Sequence, residues 1–262
     1  MIGAIAGDII GSVYEGTPIK TIDFPLFQNS STFTDDTVLT IAVADSILSG
    51  TKYEEKLKEY FRRYPDSGFG GMFSQWARSE NKKPYNSWGN GSAMRVSPIG
   101  FAFDNMKKVL EEAERSSKVT HNHPAGIKGA KATAAAVFLA RNGATKEDIK
   151  DSVENTFNYN LSESIDSVRK WYRFDVSCQG TVPYAIRSFL DSEDYEDAIR
   201  KAISLGGDSD TLACITGGIS QAYYKHIPEK IKKEVMKRLP EEFIVIIEKF
   251  YNTYDVPDNL YF

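Results

Sequence analysis

Apolar residues recur along the chain with the period of a helix, and no stretch alternates polar and apolar positions for long enough to predict a strand. The runs that follow Thr37 and Thr211 are apolar on almost every side, which predicts two buried helices. Residues 105–119 and 241–251 instead have one apolar and one charged face. The pattern therefore predicts an all-α protein, with residues 1–262 forming a single domain.

The N-terminal apolar segment carries glycines at four-residue spacing. Gly3, Gly7 and Gly11 lie on one face of the predicted helix, where a second helix can approach closely. Asp8 is a costly residue in so apolar a helix, and a capping or core hydrogen bond is the simplest reason for its presence. Glu15, just beyond the predicted helix, is better placed to take part in a site.

Composition and charge narrow the class of protein. The chain has 262 residues, of which 41% are hydrophobic, and this is enough to bury a full core. A net charge of -4 argues against a dedicated nucleic-acid or membrane-surface binder. No segment resembles a signal peptide or a membrane span, and Cys178 and Cys214 are too few for a disulfide framework. We therefore expect a cytoplasmic protein with reduced thiols and no membrane partner.

Two short acidic turns have the same construction: residues 34–37 (TDDT) and residues 206–211 (GGDSDT), each leading into one of the buried helices. No Lys or Arg occurs from residue 21 to 51 or from residue 202 to 224. Buried carboxylates without a basic partner need compensation by a cation from elsewhere. Oxygen ligands favour Mg²⁺, Mn²⁺ or Ca²⁺ over zinc or copper. The two turns therefore predict a pair of bound divalent ions.

Other interpretations of these motifs are either excluded by the residue spacing or remain open. Asp-x-Asp at a helix start often serves only as a cap. An EF-hand loop starting at Asp208 would need Gly and Glu where Ala213 and Ile219 stand, so the spacing excludes it. The His121-x-His123 pair has no Cys or third His in support, which argues against zinc. A structural role and a hydrogen bond to a ligand account for His121 equally well.

Taken together, five stretches resemble the ADP-ribosylglycohydrolase family, the group that includes the dinitrogenase reductase-activating glycohydrolase. In chain order, the matching stretches are residues 7–15 (GDIIGSVYE), 34–37 (TDDT), 89–95 (GNGSAMR), 120–121 (TH) and 206–211 (GGDSDT). The resemblance implies a compact orthogonal multi-helix bundle with a binuclear Mg²⁺ or Mn²⁺ centre. It also implies that the protein is a hydrolase of the ADP-ribosylglycohydrolase type, with a role in ADP-ribosylation.

The resemblance also implies a role for particular residues. One metal ion would be held by Thr34, Asp35, Asp36 and Asp210, and the other by Asp208, Asp210 and Thr211 with Asp35 or Asp36 as a bridge. The catalytic carboxylate would be Glu15, Asp35 or Asp36. The ADP-ribose would be bound by Ser87, Trp88, Gly89, Asn90 and Gly91 in one loop and by His121. The segment around Ser87-Trp88 departs from the Gly-Ser-Tyr form of some relatives.

The implied reaction is hydrolysis of the bond between C1″ of ADP-ribose and an acceptor on a protein or a small molecule. Arginine-linked ADP-ribose is the first expectation. Serine-linked and nucleobase-linked ADP-ribose and O-acetyl-ADP-ribose are the alternatives. Two rival classes remain, a non-catalytic ADP-ribose-binding protein and a two-metal phosphoesterase that would release AMP instead of ADP-ribose.

Overall fold

The computed structural model describes residues 1–81 and 83–256, and within that part the chain forms fifteen helices and no strand. This confirms the predicted all-α fold. The helices are α1 Ile2–Glu15, α2 Asp35–Ser49, α3 Tyr53–Arg63, α4 Gly71–Arg78, α5 Gly91–Met94, α6 Ser97–Ala102, α7 Met106–Lys118, α8 Pro124–Arg141, α9 Lys146–Phe157, α10 Ile165–Trp171, α11 Cys178–Leu190, α12 Tyr195–Ile203, α13 Ser209–Tyr224, α14 Glu229–Met236 and α15 Glu241–Tyr254. The single domain of residues 1–262 stays a prediction, and its residues 82 and 257–262 lie outside the described part.

Helices α1 and α13 make the most extensive contact in the molecule, and glycines allow it. A methyl group added at Gly7 would collide with the backbone of Ala213, and one added at Gly11 would lie 2.5 Å from the backbone oxygen of Ser209. The close approach predicted from the glycine spacing is therefore present. It brings the N-terminal end of α13 beside the C-terminal half of α1, where Asp8 lies.

Helix α2 begins and ends where its sequence predicts. The hydroxyl of Thr34 accepts a hydrogen bond from the backbone N–H of Asp36, which caps the helix, and Gly50 ends it with a φ of 70°. The residues between Val38 and Ala44 are all buried, as expected for a helix that is apolar on every side. The acidic turn is therefore fixed to a helix that cannot shift without disturbing the core.

Pro84, Gly89 and Gly91 in the sequence predict a loop over residues 81–100, but this prediction is wrong for the second half of the stretch. Helices α5 and α6 occupy most of the stretch after Asn90. Gly91 begins α5, and Pro98 lies in the first turn of α6, where its missing N–H costs no intrahelical hydrogen bond. Glycine and proline are unfavourable in the middle of a helix, but here both residues lie in the first turn of one.

Two further boundaries differ from prediction. The sequence predicts an irregular segment over residues 174–181, but α11 already starts at Cys178, because the hydroxyl of Ser177 caps it by accepting from Gly180 N–H. Glu15 is the last residue of α1 and does not lie beyond it. Its carboxylate is therefore held by a helix that packs on α13.

Candidate functional site

The carboxylate of Asp8 holds the first acidic turn onto α1. Its Oδ2 accepts hydrogen bonds from the backbone N–H groups of Thr34 and Thr37, at 3.0 and 3.1 Å, and from the Thr37 hydroxyl. Its Oδ1 accepts from the Thr34 hydroxyl at 2.7 Å. Asp8 thus has the core hydrogen bonds that the sequence favoured. Because both of its oxygens are occupied, it fixes the turn that carries the neighbouring acids.

The second acidic turn is held by side chains from other helices. Gly206 takes a φ of 62°, a conformation that favours glycine, and Asp208 lies at the N-terminus of α13. The Asn90 side-chain N–H donates to Asp208 Oδ2 at 2.6 Å. The Thr211 hydroxyl donates to Asp36 Oδ2 at 3.2 Å. That contact links the two turns directly, although they are far apart in the sequence.

The carboxylates of both turns converge in two overlapping clusters. Ligand oxygens of Asp8, Asp36 and Asp210 lie within 4.8 Å of one another, and so do those of Glu15, Asp208 and Asp210. Asp210 belongs to both clusters. None of the ion pairs found among residues 1–81 and 83–256 involves any of these acids. Within that part no basic side chain forms an ion pair with these acids, and the buried guanidinium of Arg95 senses the charge of Asp35 without pairing with it.

The pKa values of these acids are raised, as expected where no cation forms an ion pair with them. Burial, followed by the charge of Asp8, raises the pKa of Asp35 to about 8. Burial also raises the pKa of Asp36 and Asp210 well above the usual range, and the negative charges of nearby carboxylates add to the effect. Burial, then Asp208 and Asp8, raises the pKa of Glu15. Without a bound cation, the negative charges of these acids are compensated only by protons, and this arrangement lowers the stability of the folded protein.

The donor set fits a hard divalent cation. All the converging ligands are oxygens, which Mg²⁺ and Mn²⁺ prefer. Oδ1 of Asp36 is buried and has no hydrogen-bond partner within the described residues. A buried acceptor left without a donor is costly, and a coordinated cation would satisfy it. The residues of the two turns are therefore suited to metal binding.

A cavity of about 330 Å³ opens against the acids. Twelve of the thirteen predicted site residues line it: Glu15, Thr34, Asp35, Asp36, Ser87, Gly89, Asn90, Gly91, His121, Asp208, Asp210 and Thr211. The thirteenth, Trp88, lies outside the cavity lining. Its side chain is 54% exposed and its ring meets the ring of His123 edge-on. The structure thus brings the predicted residues together, while their individual roles stay predictions.

Sequence reasoning missed part of the cavity wall. A glycine-rich segment at the start of α4 contributes Gly68, Gly70 and Gly71, followed by Met72 and Phe73. A signal was present in the sequence, because three glycines in four positions are unusual before a helix. In the structure Gly68 takes a φ of 87°, which favours glycine. The remaining residues that were missed are Leu39, Tyr85, Met94, Arg95 and Val176.

The family sequence profile described as ADP-ribosylglycohydrolase matches residues 1–259 of the chain. The chain belongs to the ADP-ribosylglycohydrolase family. It is an ADP-ribosyl hydrolase in the general sense that the family describes, and this confirms the resemblance drawn from the two acidic turns.

Within the described residues, no helix is both long and apolar enough to cross a membrane.

Named relatives agree with this assignment. Human ADP-ribosylhydrolase ARH3 is 26% identical, over 87% of this chain and 86% of its own. The ADP-ribosylarginine hydrolase Tri1 of Pseudomonas putida is 24% identical, over 92% of this chain and 78% of its own. A solved structure entitled ADP-ribosylglycohydrolase-related protein complex is similar with a TM-score of 0.76 and 25% identity, covering 97% of this chain and 95% of its own. Both the sequence and the fold of this chain therefore match the family over nearly their whole length.

Proposed function

We propose that this ADP-ribosylglycohydrolase uses two divalent cations, Mg²⁺ or Mn²⁺, to hydrolyse the bond between C1″ of ADP-ribose and its acceptor. The observation that carries the proposal is the position of Asp210, which joins two acid clusters at the wall of one cavity. One ion would be held by Thr34, Asp35, Asp36 and Asp210, and the other by Asp208, Asp210 and Thr211 with Asp35 or Asp36 shared. When bound, such ions orient ribose hydroxyls and make a nearby water more acidic.

Glu15 is the best placed general base. Its side chain is exposed, and one of its carboxylate oxygens lies within 4.8 Å of those of Asp208 and Asp210. In the metal-free protein, partial desolvation of this carboxylate and the charges of Asp208 and Asp8 raise its pKa, which strengthens it as a proton acceptor. Asp36 is the alternative base, through a carboxylate oxygen that is not bound to a cation. Either group would take the proton of the water that attacks C1″.

The carboxylates also suit the charge of the transition state. Glycoside cleavage passes through a positively charged, oxocarbenium-like ribose, which nearby negative oxygens stabilise. Asn90 keeps Asp208 in place through its 2.6 Å hydrogen bond, and Asp8 keeps the first turn in place. The chain therefore holds the acids in position before substrate arrives, so that little reorganisation is needed during the reaction.

Arginine-linked ADP-ribose is the proposed substrate. Glu15 is exposed at the cavity wall, where its carboxylate can pair with a guanidinium acceptor. The name of the Pseudomonas relative states the same acceptor. Serine-linked or nucleobase-linked ADP-ribose and O-acetyl-ADP-ribose are the alternatives, since the name ARH3 states no acceptor. The substrate would be a modified protein or a small molecule, and a cytoplasmic location stays a prediction.

The test offers matched peptides that carry ADP-ribose on arginine or on serine, together with the nucleobase-linked and O-acetyl forms. Each is incubated with Mg²⁺, with Mn²⁺ and with EDTA. We expect release of free ADP-ribose from the arginine peptide with metal and none with EDTA. Release of AMP would identify a phosphoesterase instead. ADP-ribose binding without turnover of any substrate would identify a non-catalytic binding protein.

A further inference from the structure

A buried arginine forms part of the cavity wall. Arg95 follows the last residue of α5, is fully buried and lines the cavity. Its Nη2 donates to the backbone oxygen of Ser116 and to Oγ1 of Thr120, both at 2.9 Å. Its Nε and Nη1 have no hydrogen-bond partner among the described residues. Burying a guanidinium with so few partners is costly, which favours a role beyond packing.

Thr120 connects this arginine to His121. Oγ1 of Thr120 lies 2.8 Å from Nδ1 of His121, so a hydrogen bond joins them and one of the two groups supplies the proton. A guanidinium can only donate, so Arg95 occupies a lone pair of the threonine oxygen. Its positive charge makes the threonine hydroxyl a better donor and disfavours a proton on Nδ1 beside it. Burial, followed by the charge of Arg95, also holds the pKa of His121 well below its usual range, so the ring is neutral and the threonine proton points to Nδ1.

A second neighbour, Tyr85, is compatible with a hydrogen bond in which Thr120 donates to Nδ1 of His121. Its side chain also interacts with Thr120, and burial raises the pKa of Tyr85 to about 12, so its hydroxyl stays protonated at neutral pH. A protonated phenol can donate to the second lone pair of the threonine oxygen. Thr120 would then accept from Arg95 and Tyr85 and donate to His121. Each hydrogen-bonding position of its hydroxyl is used in this arrangement.

The other ring nitrogen of His121 faces the loop predicted to bind ADP-ribose. A side chain at Gly91 would come within 3.3 Å of Nε2, and one at Gly89 within 3.5 Å. Within residues 1–81 and 83–256, Nε2 has no hydrogen-bond partner. The glycines thus leave this nitrogen accessible from the cavity that His121 lines.

We propose that Arg95 and Thr120 are positioning residues that keep the proton of neutral His121 on Nε2, so that His121 donates a hydrogen bond to an oxygen of bound ADP-ribose. The proposal rests on the proposed function, since it takes ADP-ribose as the ligand. It joins the two roles that the sequence left open for His121, because it gives the ring both a structural anchor at Nδ1 and a ligand contact at Nε2.

The first experiment needs no change to the site. The protein is labelled with ¹⁵N at histidine, and the ring nitrogens are correlated with the ring carbon-bound protons at neutral pH in the presence of Mg²⁺. The chain has three histidines, so His123→Gln and His226→Gln variants assign the signals. We expect His121 in a single tautomer with the proton on Nε2. The proton on Nδ1, or a mixture of tautomers, would overturn the proposal.

The second experiment compares Thr120→Val, which loses the hydroxyl at nearly constant volume, with Thr120→Ser, which keeps it. We expect Thr120→Val to give mixed tautomers and to bind free ADP-ribose about tenfold more weakly, as for the loss of one hydrogen bond. Thr120→Ser should match the wild type in both respects. A purely structural threonine would leave the tautomer unchanged.

The outcomes separate this proposal from the proposed function. Failure of the wild type to bind ADP-ribose would contradict the proposed function. Tight binding by the wild type together with equal binding by Thr120→Val would overturn only the role of Arg95 and Thr120. If Thr120→Val does not fold, the tautomer of wild-type His121 still decides the question.

Discussion

Glu112 on α7 is buried, as are Asp36 and Asp210 beside the cavity, but of these three acids only Glu112 forms ion pairs within residues 1–81 and 83–256. Its side chain is met by Lys108 at 2.8 Å, by Arg115 at 2.5 Å and by the Tyr53 hydroxyl at 3.0 Å. Burial acts to raise its pKa, but the hydrogen bonds from Lys108, Tyr53 and Arg115 outweigh it, and the pKa is lowered. At Asp36 and Asp210 burial and like charges act together, and the pKa rises.

This difference distinguishes Glu112, a buried acid that stabilises the fold, from Asp36 and Asp210, which are part of the candidate site. A carboxylate with two cations nearby stabilises the folded state and needs nothing more. Acids gathered without a cation destabilise the folded state until a ligand compensates them, and proteins keep such arrangements where binding or catalysis needs them. The comparison therefore supports a cation site at the acidic turns on grounds of energy as well as family membership.

The largest expected effect is that of Asp210→Asn, because Asp210 is shared by both clusters. We expect hydrolysis and Mn²⁺ binding to fall together below detection. The metal-free variant should be at least as stable as the metal-free wild type, since one repelling charge is gone. Activity assays, calorimetric titration with Mn²⁺ and thermal unfolding measure the three quantities.

Glu112→Gln is the matched control for Asp210→Asn. It also removes the charge of a buried acid, but it lies outside the cavity lining. We expect activity within about twofold of the wild type and a loss of about 1–2 kcal/mol in the free energy of unfolding. Full hydrolysis by Asp210→Asn, or by the wild type in EDTA, would contradict the distinction between the two kinds of acid.

The next effect concerns the helix contact that brings the cavity acids together. In Gly7→Ala the new methyl group would meet the backbone of Ala213, and we expect a loss of about 1–3 kcal/mol in the free energy of unfolding and weaker Mn²⁺ binding. Gly16→Ala is the control, because nothing lies within 4 Å of the added carbon. Denaturant unfolding of both variants measures the difference. Equal stability of the two variants would show that α1 and α13 can separate without cost.

The sequence predicts the parts of this site that depend on local order. The cap at Thr34, the glycine face of α1 and the lack of a basic residue near either turn are all visible in it. The contact between Thr211 and Asp36 is not visible, because it arises from how α2 and α13 pack. The shared need of the two turns for a cation, together with the family resemblance, predicted that they meet, and the structure shows the contact at the cavity wall.

The residues that the sequence did not predict were missed for the same reason, because their roles depend on how the helices pack. In the sequence Arg95 is only the last residue of the GNGSAMR stretch, and nothing there shows that its guanidinium is buried against Thr120. Three glycines among residues 68–71 are an unusual start for a helix, but the sequence does not show what they approach. These glycines have meaning only when Asp35 is seen 3.8 Å from a carbon added at Gly68.

The last expected effect is one of sign: it concerns how stability depends on pH, measured on metal-free protein. The pKa of Asp35 is raised to about 8 in the folded state, so from about pH 4 upward the folded protein holds a proton that the unfolded chain has lost. Wild-type stability relative to Asp35→Asn should therefore fall as the pH rises from about 4 to 8. The change should exceed about 1 kcal/mol, since one unit of pKa shift is worth about 1.4 kcal/mol.

Glu112 should show the opposite sign. Its pKa is lowered in the folded state, so its contribution is present above the pKa of the unfolded chain and is lost as the pH falls through the folded value. The stability of the wild type relative to Glu112→Gln should therefore be greatest near neutral pH and shrink below about pH 4. Urea unfolding at a series of pH values gives both differences. If the two variants showed the same sign, the cavity acids would have a basic partner and no cation would be required.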